Sequence, residues 1–335
     1  MTPVTRIVAV DIGGTHARFA IATRAPDGAI TLDEPITLHT EDHASFQTAW
    51  EDYRARKGGV LPDAVAMAIA GPVGGQVIRF TNNPWIIRPA LVEEKLGVSS
   101  FTIVNDFEAV AHAVARAGCD EFIHLTGPDE PLGKTGRLSV LGPGTGLGVA
   151  HLYREPDGTY RVSATEGGHV DFAPLDPIED AILARLRKRH TRVSVERVVA
   201  GPAIVDIYET LAALEGRAVL AQDDVTIWTA GMDGSDSLAA AAIDRFCLSL
   251  GAVAGDTALA QGGFAGVVIA GGLGYRLRDH LPRSGFAERF RAKGRFETMM
   301  AAIPVKLITH PQPGLFGAAA AYFQQHDRQI QGDAR

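Results

Sequence analysis

An apolar strand, a glycine turn and a returning strand occur twice in this chain, and that duplication restricts its fold more than any other feature. The first copy, residues 8–22, reads VAVDIGGTHARFAIA; the second, residues 137–153, reads RLSVLGPGTGLGVAHLY. After the first come a strand near 30–38, a helix near 44–56, a buried strand over 64–70, a helix near 88–96, a strand over 101–104 and a helix near 107–117. Phe107, Val110, Ala111 and Val114 fall at i, i+3, i+4 and i+7, one face of a helix. The second copy continues with a strand near 160–164. Several helices follow, including a long one near 237–261, then strands over 266–270 and 304–308 and a last helix from about Gly314. The strand plan is thus used twice, with helices inserted into the second copy.

With 335 residues the chain exceeds the usual size of one core. The expected class is α/β in two domains: a small α/β domain of residues 1–116 with 311–335, and a larger α+β domain of residues 117–310. The formal net charge is −7 and no basic run occurs, which argues against nucleic acid as a partner. No apolar run approaches the roughly 18 residues of a membrane span. The two cysteines, Cys119 and Cys247, lie far apart, so neither a disulfide framework nor a zinc signature exists. No zinc is expected, and a reducing cytoplasm is the natural compartment.

Asp11 ends the first strand, where side chains often meet ligands. Asp followed by Gly-Gly is also ordinary hairpin chemistry. Gly13, Gly14 and Thr15, however, offer successive N–H groups with little side-chain cover, a concavity suited to anions. One such hairpin per lobe suggests nucleotide phosphates held in a cleft between the lobes. GPDEPLGKT, residues 127–135, imitates a P-loop but has one residue too many between its glycines and leads into a strand. It is expected to be a surface loop.

Asn105 and Asp106 stand between a strand end and a helix start. Asn105 with Glu108 fits a capping box, while Asp106 is free to face substrate. Glu166 and His169 flank Gly167-Gly168, where a helix is improbable; a structural turn and a turn offering two polar groups to a hydroxylated ligand are both open. Glu196 alone reads as an exposed helical glutamate. IAGGL, residues 269–273, is either a tight connection or a place where glycine lets a flat base or ribose approach.

Taken together, DIGGTHAR, TNNPW, IVNDF, GPGTGLGVAHL, EGGHVDFAP, SVERVVAGP, IAGGL and PGLFGAAAAY, spread in order over residues 11–322, resemble the bacterial ATP-dependent glucokinases. These belong to the superfamily of sugar kinases, actin and heat-shock ATPases. The resemblance implies an actin-like, ribonuclease H-like two-domain ATPase that phosphorylates the 6-hydroxyl of glucose with ATP and Mg²⁺, as a step of glycolysis. It implies Asp106 as catalytic base, and Asn105, Glu166, His169 and Glu196 on the sugar hydroxyls. Val10, Asp11, Ile12, Gly13, Gly14 and Thr15, with Gly144, Thr145 and Gly146, would hold phosphates. Gly271 and Gly272 would face adenosine, and Asp11 would orient Mg²⁺ through water. Glucose and ATP are the implied partners, and a homodimer is an assembly the resemblance allows. His16 departs from the Asn frequent in such sequences. The rival readings are a kinase for another hexose, using ATP or polyphosphate, and a non-catalytic sugar sensor; a first strand near residue 7 and an intact Asp106 favour the enzyme.

Overall fold

A computed structural model describes residues 5–80 and 83–333; Thr81 and Asn82 of the TNNPW segment lie outside the described residues. The chain divides into two compact units, Met1–Ala117 with His310–Arg335, and Gly118–Thr309.

The first unit carries β1 (Arg6–Ile12), β2 (His16–Arg24), β3 (Ile30–Leu32), β4 (Ile36–His39), α1 (Phe46–Arg56), β5 (Ala64–Ile69), the short hairpin β6 (Ile78–Arg79) and β7 (Ile86–Ile87), α2 (Val92–Leu96), β8 (Ser100–Asn105), α3 (Asp106–Arg116) and the C-terminal helix (Pro313–Asp333). Its sheet runs β3-β2-β1-β5-β8, with β4 also on β2. β1 and β2 are antiparallel, whereas β1, β5 and β8 are parallel. The two faces differ in residue size. On one, Val8, Val10, Ile12, Val65, Met67 and Ile69 pack with Phe46, Trp50 and Tyr53 of α1. On the other, Ala9, Ala64, Ala66 and Ala68 pack with Leu315, Ala318, Ala319 and Tyr322 of the C-terminal helix. Strand periodicity of two places Asp11 on this small-residue face.

The strand expected over 30–38 is two strands. Pro35 has no N–H to give to a ladder, and at the break the Asp33 carboxylate accepts the Ile21 N–H at 2.7 Å. The helix expected over 88–96 opens as a 3₁₀ turn, Pro89–Leu91, before α2.

The second unit carries β9 (Phe122–Thr126), β10 (Gly136–Pro143), β11 (Leu147–Arg154), β12 (Tyr160–Thr165), α4 (Pro177–Arg187), α5 (Ala203–Leu214), α6 (Asp224–Asp233), α7 (Ser237–Gln261), β13 (Gly266–Ile269), α8 (Gly271–Arg276), α9 (Phe286–Arg291), α10 (Glu297–Ala301) and β14 (Val305–Ile308). Its sheet, β12-β11-β10-β13-β14-β9, repeats the plan of three antiparallel strands followed by two parallel ones, and adds β9 antiparallel at the edge. Residues 127–135 carry neither helix nor strand. α7 is long and apolar enough to cross a membrane, but 72% of its apolar window is buried in the protein. Val253, Phe246, Leu250 and Ala254 lie in the core of this unit, so the helix spends its apolar surface there.

Candidate active site

In the first unit the turn between β1 and β2 has its carbonyls drawn inward. The Gly13 oxygen accepts from Asn83 Nδ2 at 3.4 Å, the Gly14 oxygen from Thr40 Oγ1 at 2.8 Å, and the Thr15 oxygen from the Thr40 N–H at 3.0 Å. In a trans peptide the N–H points opposite to the C=O, so the Gly14 and Thr15 N–H groups are turned outward, as an anion cradle requires. The Thr15 hydroxyl is tied to His16 Nδ1 at 2.8 Å. Thr40 and Asn83 thus support the turn; Asn83 belongs to the TNNPW motif and Thr40 to none, and nothing local links either to a turn that lies 70 residues before the one and 25 before the other.

Asp11 faces Arg18 across the β1–β2 pair, with Arg18 Nη1 3.2 Å from its Oδ2. Burial raises the Asp11 pKa, and the Arg18 charge and hydrogen bond oppose that rise. The result is a poorly solvated carboxylate with a single cationic neighbour.

Strand β8 passes directly into α3. Asn105 is the N-cap: its Oδ1 accepts from the Phe107 N–H at 2.9 Å and the Glu108 N–H at 3.1 Å, while its Nδ2 donates to the Gly71 oxygen at 3.2 Å. Its other amide hydrogen is directed at the Asp106 carboxylate. Asp106 is the first helical residue, and its Oδ1 accepts from Phe107 N–H at 2.9 Å. Burial pushes its pKa up to about 6; the nearby Asp11 charge adds to the rise, and the hydrogen bonds from Phe107 and Asn105 resist it. A carboxylate titrating near neutrality at a helix start is suited to accept a proton.

In the second unit two distant segments converge on Leu147, the first residue of β11. Glu196 Oε2 accepts the Leu147 N–H at 2.9 Å. Gly168 packs against the Leu147 carbonyl, where an added Cβ would stand 2.3 Å from the oxygen. The Val195 N–H donates to the Val170 oxygen at 2.9 Å, joining the segment that carries Glu166 and His169 to the one that carries Glu196. His169 Nε2 lies 3.7 Å from Glu166 Oε2, and Glu166 is largely exposed, at 82% of its side chain. Glu166, His169 and Glu196 therefore belong to one cluster. Glu196 sits in a 3₁₀ turn, Val195–Arg197, and is half-buried, unlike the exposed helical glutamate that its sequence context suggests.

Between β10 and β11 the Gly144 N–H closes on the Gly146 oxygen at 2.8 Å, and the Gly144 oxygen accepts from Gly201 N–H at 2.7 Å. A side chain at Gly146 would meet Glu196, with Cβ 2.6 Å from Oε2. Thr145 is the exposed tip of this turn. Gly271, with φ +81°, lies against the end of β10, where a Cβ would come 2.7 Å from the Pro143 oxygen; Gly272 has nothing within 4 Å of such an atom. The two glycines differ accordingly: Gly271 is required by the backbone beside it, and Gly272 leaves open space. Among the described residues no group of three or more His, Cys, Asp or Glu is placed to hold a metal ion.

A sheet plan used in each unit with one glycine turn per copy, and a half-buried acid at a helix start in the first unit, fit a sugar kinase of the actin-like ATPase fold. The glucokinase family model matches residues 8–326. The chain is 57% identical over 320 residues to the glucokinase of Zymomonas mobilis, covering 96% of this chain and 98% of that one. Among solved structures, a glucokinase from an Antarctic psychrotroph superposes with a TM-score of 0.84 at 31% identity, covering 95% of this chain and 98% of that one. A ROK-family glucokinase from Streptomyces griseus, solved with glucose and AMPPNP, shares the fold at a TM-score of 0.59 and 20% identity, covering 94% and 98%. The chain belongs to the glucokinase family, and it is a kinase.

Proposed function

We propose that this kinase transfers the γ-phosphoryl group of ATP to the 6-hydroxyl of glucose, with Asp106 as general base. The observation that carries the reading is Asp106 itself: half-buried at the first position of α3, with a pKa of about 6 and Oδ1 already held by the Phe107 N–H. That bond fixes the carboxylate and leaves Oδ2 to take the hydroxyl proton. As the proton leaves, the C6 oxygen forms its bond to the γ-phosphorus; the bond to the β–γ bridging oxygen breaks and its electron pair departs with ADP. Such transfer depends chiefly on position and charge stabilisation.

The remaining residues take the roles that such a reaction needs. Asn105, Glu166, His169 and Glu196 bind the sugar hydroxyls. The turn of Val10, Asp11, Ile12, Gly13, Gly14 and Thr15 holds phosphate through its outward N–H groups, and Gly144, Thr145 and Gly146 do so in the second unit. Gly272 lies against the adenosine, while Gly271 allows the chain to pass β10. Magnesium fits Asp11: that ion is commonly held by one or two carboxylates together with substrate phosphates, not by a cage of protein ligands, and a half-buried carboxylate with one cationic neighbour supplies that share. When bound, Mg²⁺ would neutralise phosphate charge. The free thiols of Cys119 and Cys247 suit a reducing cytoplasm.

The test is a coupled assay of the purified protein with Mg-ATP across glucose, mannose, fructose and N-acetylglucosamine, with polyphosphate as alternative donor. Glucose with ATP should give glucose 6-phosphate and ADP in equal amounts. Its rate should rise with pH through about 6, because only ionised Asp106 can accept the proton. Intact ATP binding with no sugar phosphate formed would favour the non-catalytic sensor.

A further inference from the structure

The closing motif PGLFGAAAAY opens the C-terminal helix, Pro313–Asp333, on the small-residue face of the first unit. Its second residue, Gly314, lies directly over the end of β1. A Cβ built there would stand 2.8 Å from Asp11 Cγ, 2.8 Å from Oδ2 and 3.1 Å from Oδ1. These three atoms make up the whole carboxylate group, and they are the nearest that such a Cβ would meet. The bare Cα at position 314 therefore lies closest to the carboxylate that faces Arg18 across the first turn. Gly314 is also not in the left-handed region, so backbone conformation does not explain a glycine there. A glycine near a helix N-terminus costs up to about 1 kcal/mol relative to alanine, and what it gives in return here is room.

We propose that Gly314 is a positioning residue for the phosphate and metal end of the site: by lacking a side chain it leaves the Asp11 carboxylate its place beside the first glycine turn. Any side chain at 314 pushes the carboxylate along its χ angles, away from the turn, or pushes the helix off the sheet. The helix adds the positive end of its dipole, which favours an anion at that position. Lys, Arg or a larger residue would displace the group further, so the requirement is for absence of atoms and not for a particular chemistry. This inference rests on the reading that Asp11 orients Mg²⁺ with the nucleotide phosphates.

The experiment is a double-mutant cycle of Gly314→Ala and Asp11→Ala, read by calorimetric binding of ADP with and without Mg²⁺, by glucose binding, and by chemical denaturation. Asp11→Ala removes the three atoms nearest the new Cβ. In the wild-type background Gly314→Ala should weaken MgADP about tenfold or more, with metal-free ADP and glucose affinities within about twofold. In the Asp11→Ala background it should have almost no further effect on MgADP. If Gly314→Ala does not fold alone, the double variant should fold, because the clash has gone. Equal losses in both backgrounds, unchanged MgADP binding, or a double variant that also fails to fold would each overturn the proposal. A wild-type protein that binds MgADP but phosphorylates no sugar would refute the kinase reading alone, since the coupling between positions 11 and 314 is measured by binding.

Discussion

Asp106→Asn is expected to lose about 10²-fold or more in kcat while gaining stability at neutral pH. The substitution keeps the shape of the side chain and an acceptor for the Phe107 N–H, the 2.9 Å bond of the wild type. It removes only the capacity to take a proton. Glucose affinity should change much less than the rate, since an amide still hydrogen-bonds a hydroxyl. The stability gain follows from burial, which raises the folded-state pKa of Asp106 from 3.8 to about 6. The folded protein then holds this proton more tightly than the unfolded chain does. The resulting stability is complete below the unfolded value and is lost as pH rises through about 6. Asparagine does not ionise and escapes that loss, so the variant should be more stable than wild type by about 2 kcal/mol at pH 7, with the difference shrinking toward pH 4. Paired denaturation curves at the two pH values, with initial rates, test both halves. A folded variant with near-normal kcat would remove Asp106 from the chemistry. An inactive variant with no pH-dependent gain would place the damage elsewhere.

This coupling of activity to instability explains part of what the sequence could and could not disclose. Asp106 was visible because its setting is local: a strand end, an Asn cap and an apolar helix face lie within ten residues. The duplicated hairpins were visible for the same reason, since glycine pairs between apolar strands need no distant partner to be recognised. What escaped depends on contacts across the chain. Asn83 and Thr40 pull the carbonyls of the first turn inward, yet no spacing rule connects them to Gly13 and Gly14. Glu196 looks ordinary until its carboxylate is seen on the Leu147 N–H, 49 positions away. Short elements escaped too: β6 and β7 have two residues each, too few for alternation to register. The break between β3 and β4 escaped as well, since the sequence reads as one strand over 30–38: Pro35 stands at the break, but that the Asp33 carboxylate takes the Ile21 N–H there depends on the tertiary pairing.

The largest loss of stability should come from Gly317→Ala. Gly317 lies one helical turn after Gly314 and faces α3, where an added Cβ would fall 1.7 Å from the Ala109 oxygen and 2.4 Å from its carbonyl carbon. Those atoms are backbone, so no rotamer change relieves the overlap; the C-terminal helix or α3 has to move by more than an ångström. The alanines of β1 and β5 beneath this helix show how closely the layer is packed, and a lateral shift would open gaps along the whole contact. Overpacking of this kind costs about 3 kcal/mol. The denaturation midpoint should fall with the slope unchanged, since the unfolded chain gains only a methyl group. Ala109 lies on the helix that begins with Asp106, so kcat should drop as well. Gly272→Ala provides the contrast. Nothing lies within 4 Å of a Cβ at 272, and alanine is the better helix former, so stability should hold or rise slightly. If Gly272 lies against the adenosine, the same methyl group should raise the KM for ATP while leaving that for glucose unchanged. Equal stability of Gly317→Ala and wild type would contradict the close approach of the two helices; unchanged ATP affinity in Gly272→Ala would take the nucleotide away from α8.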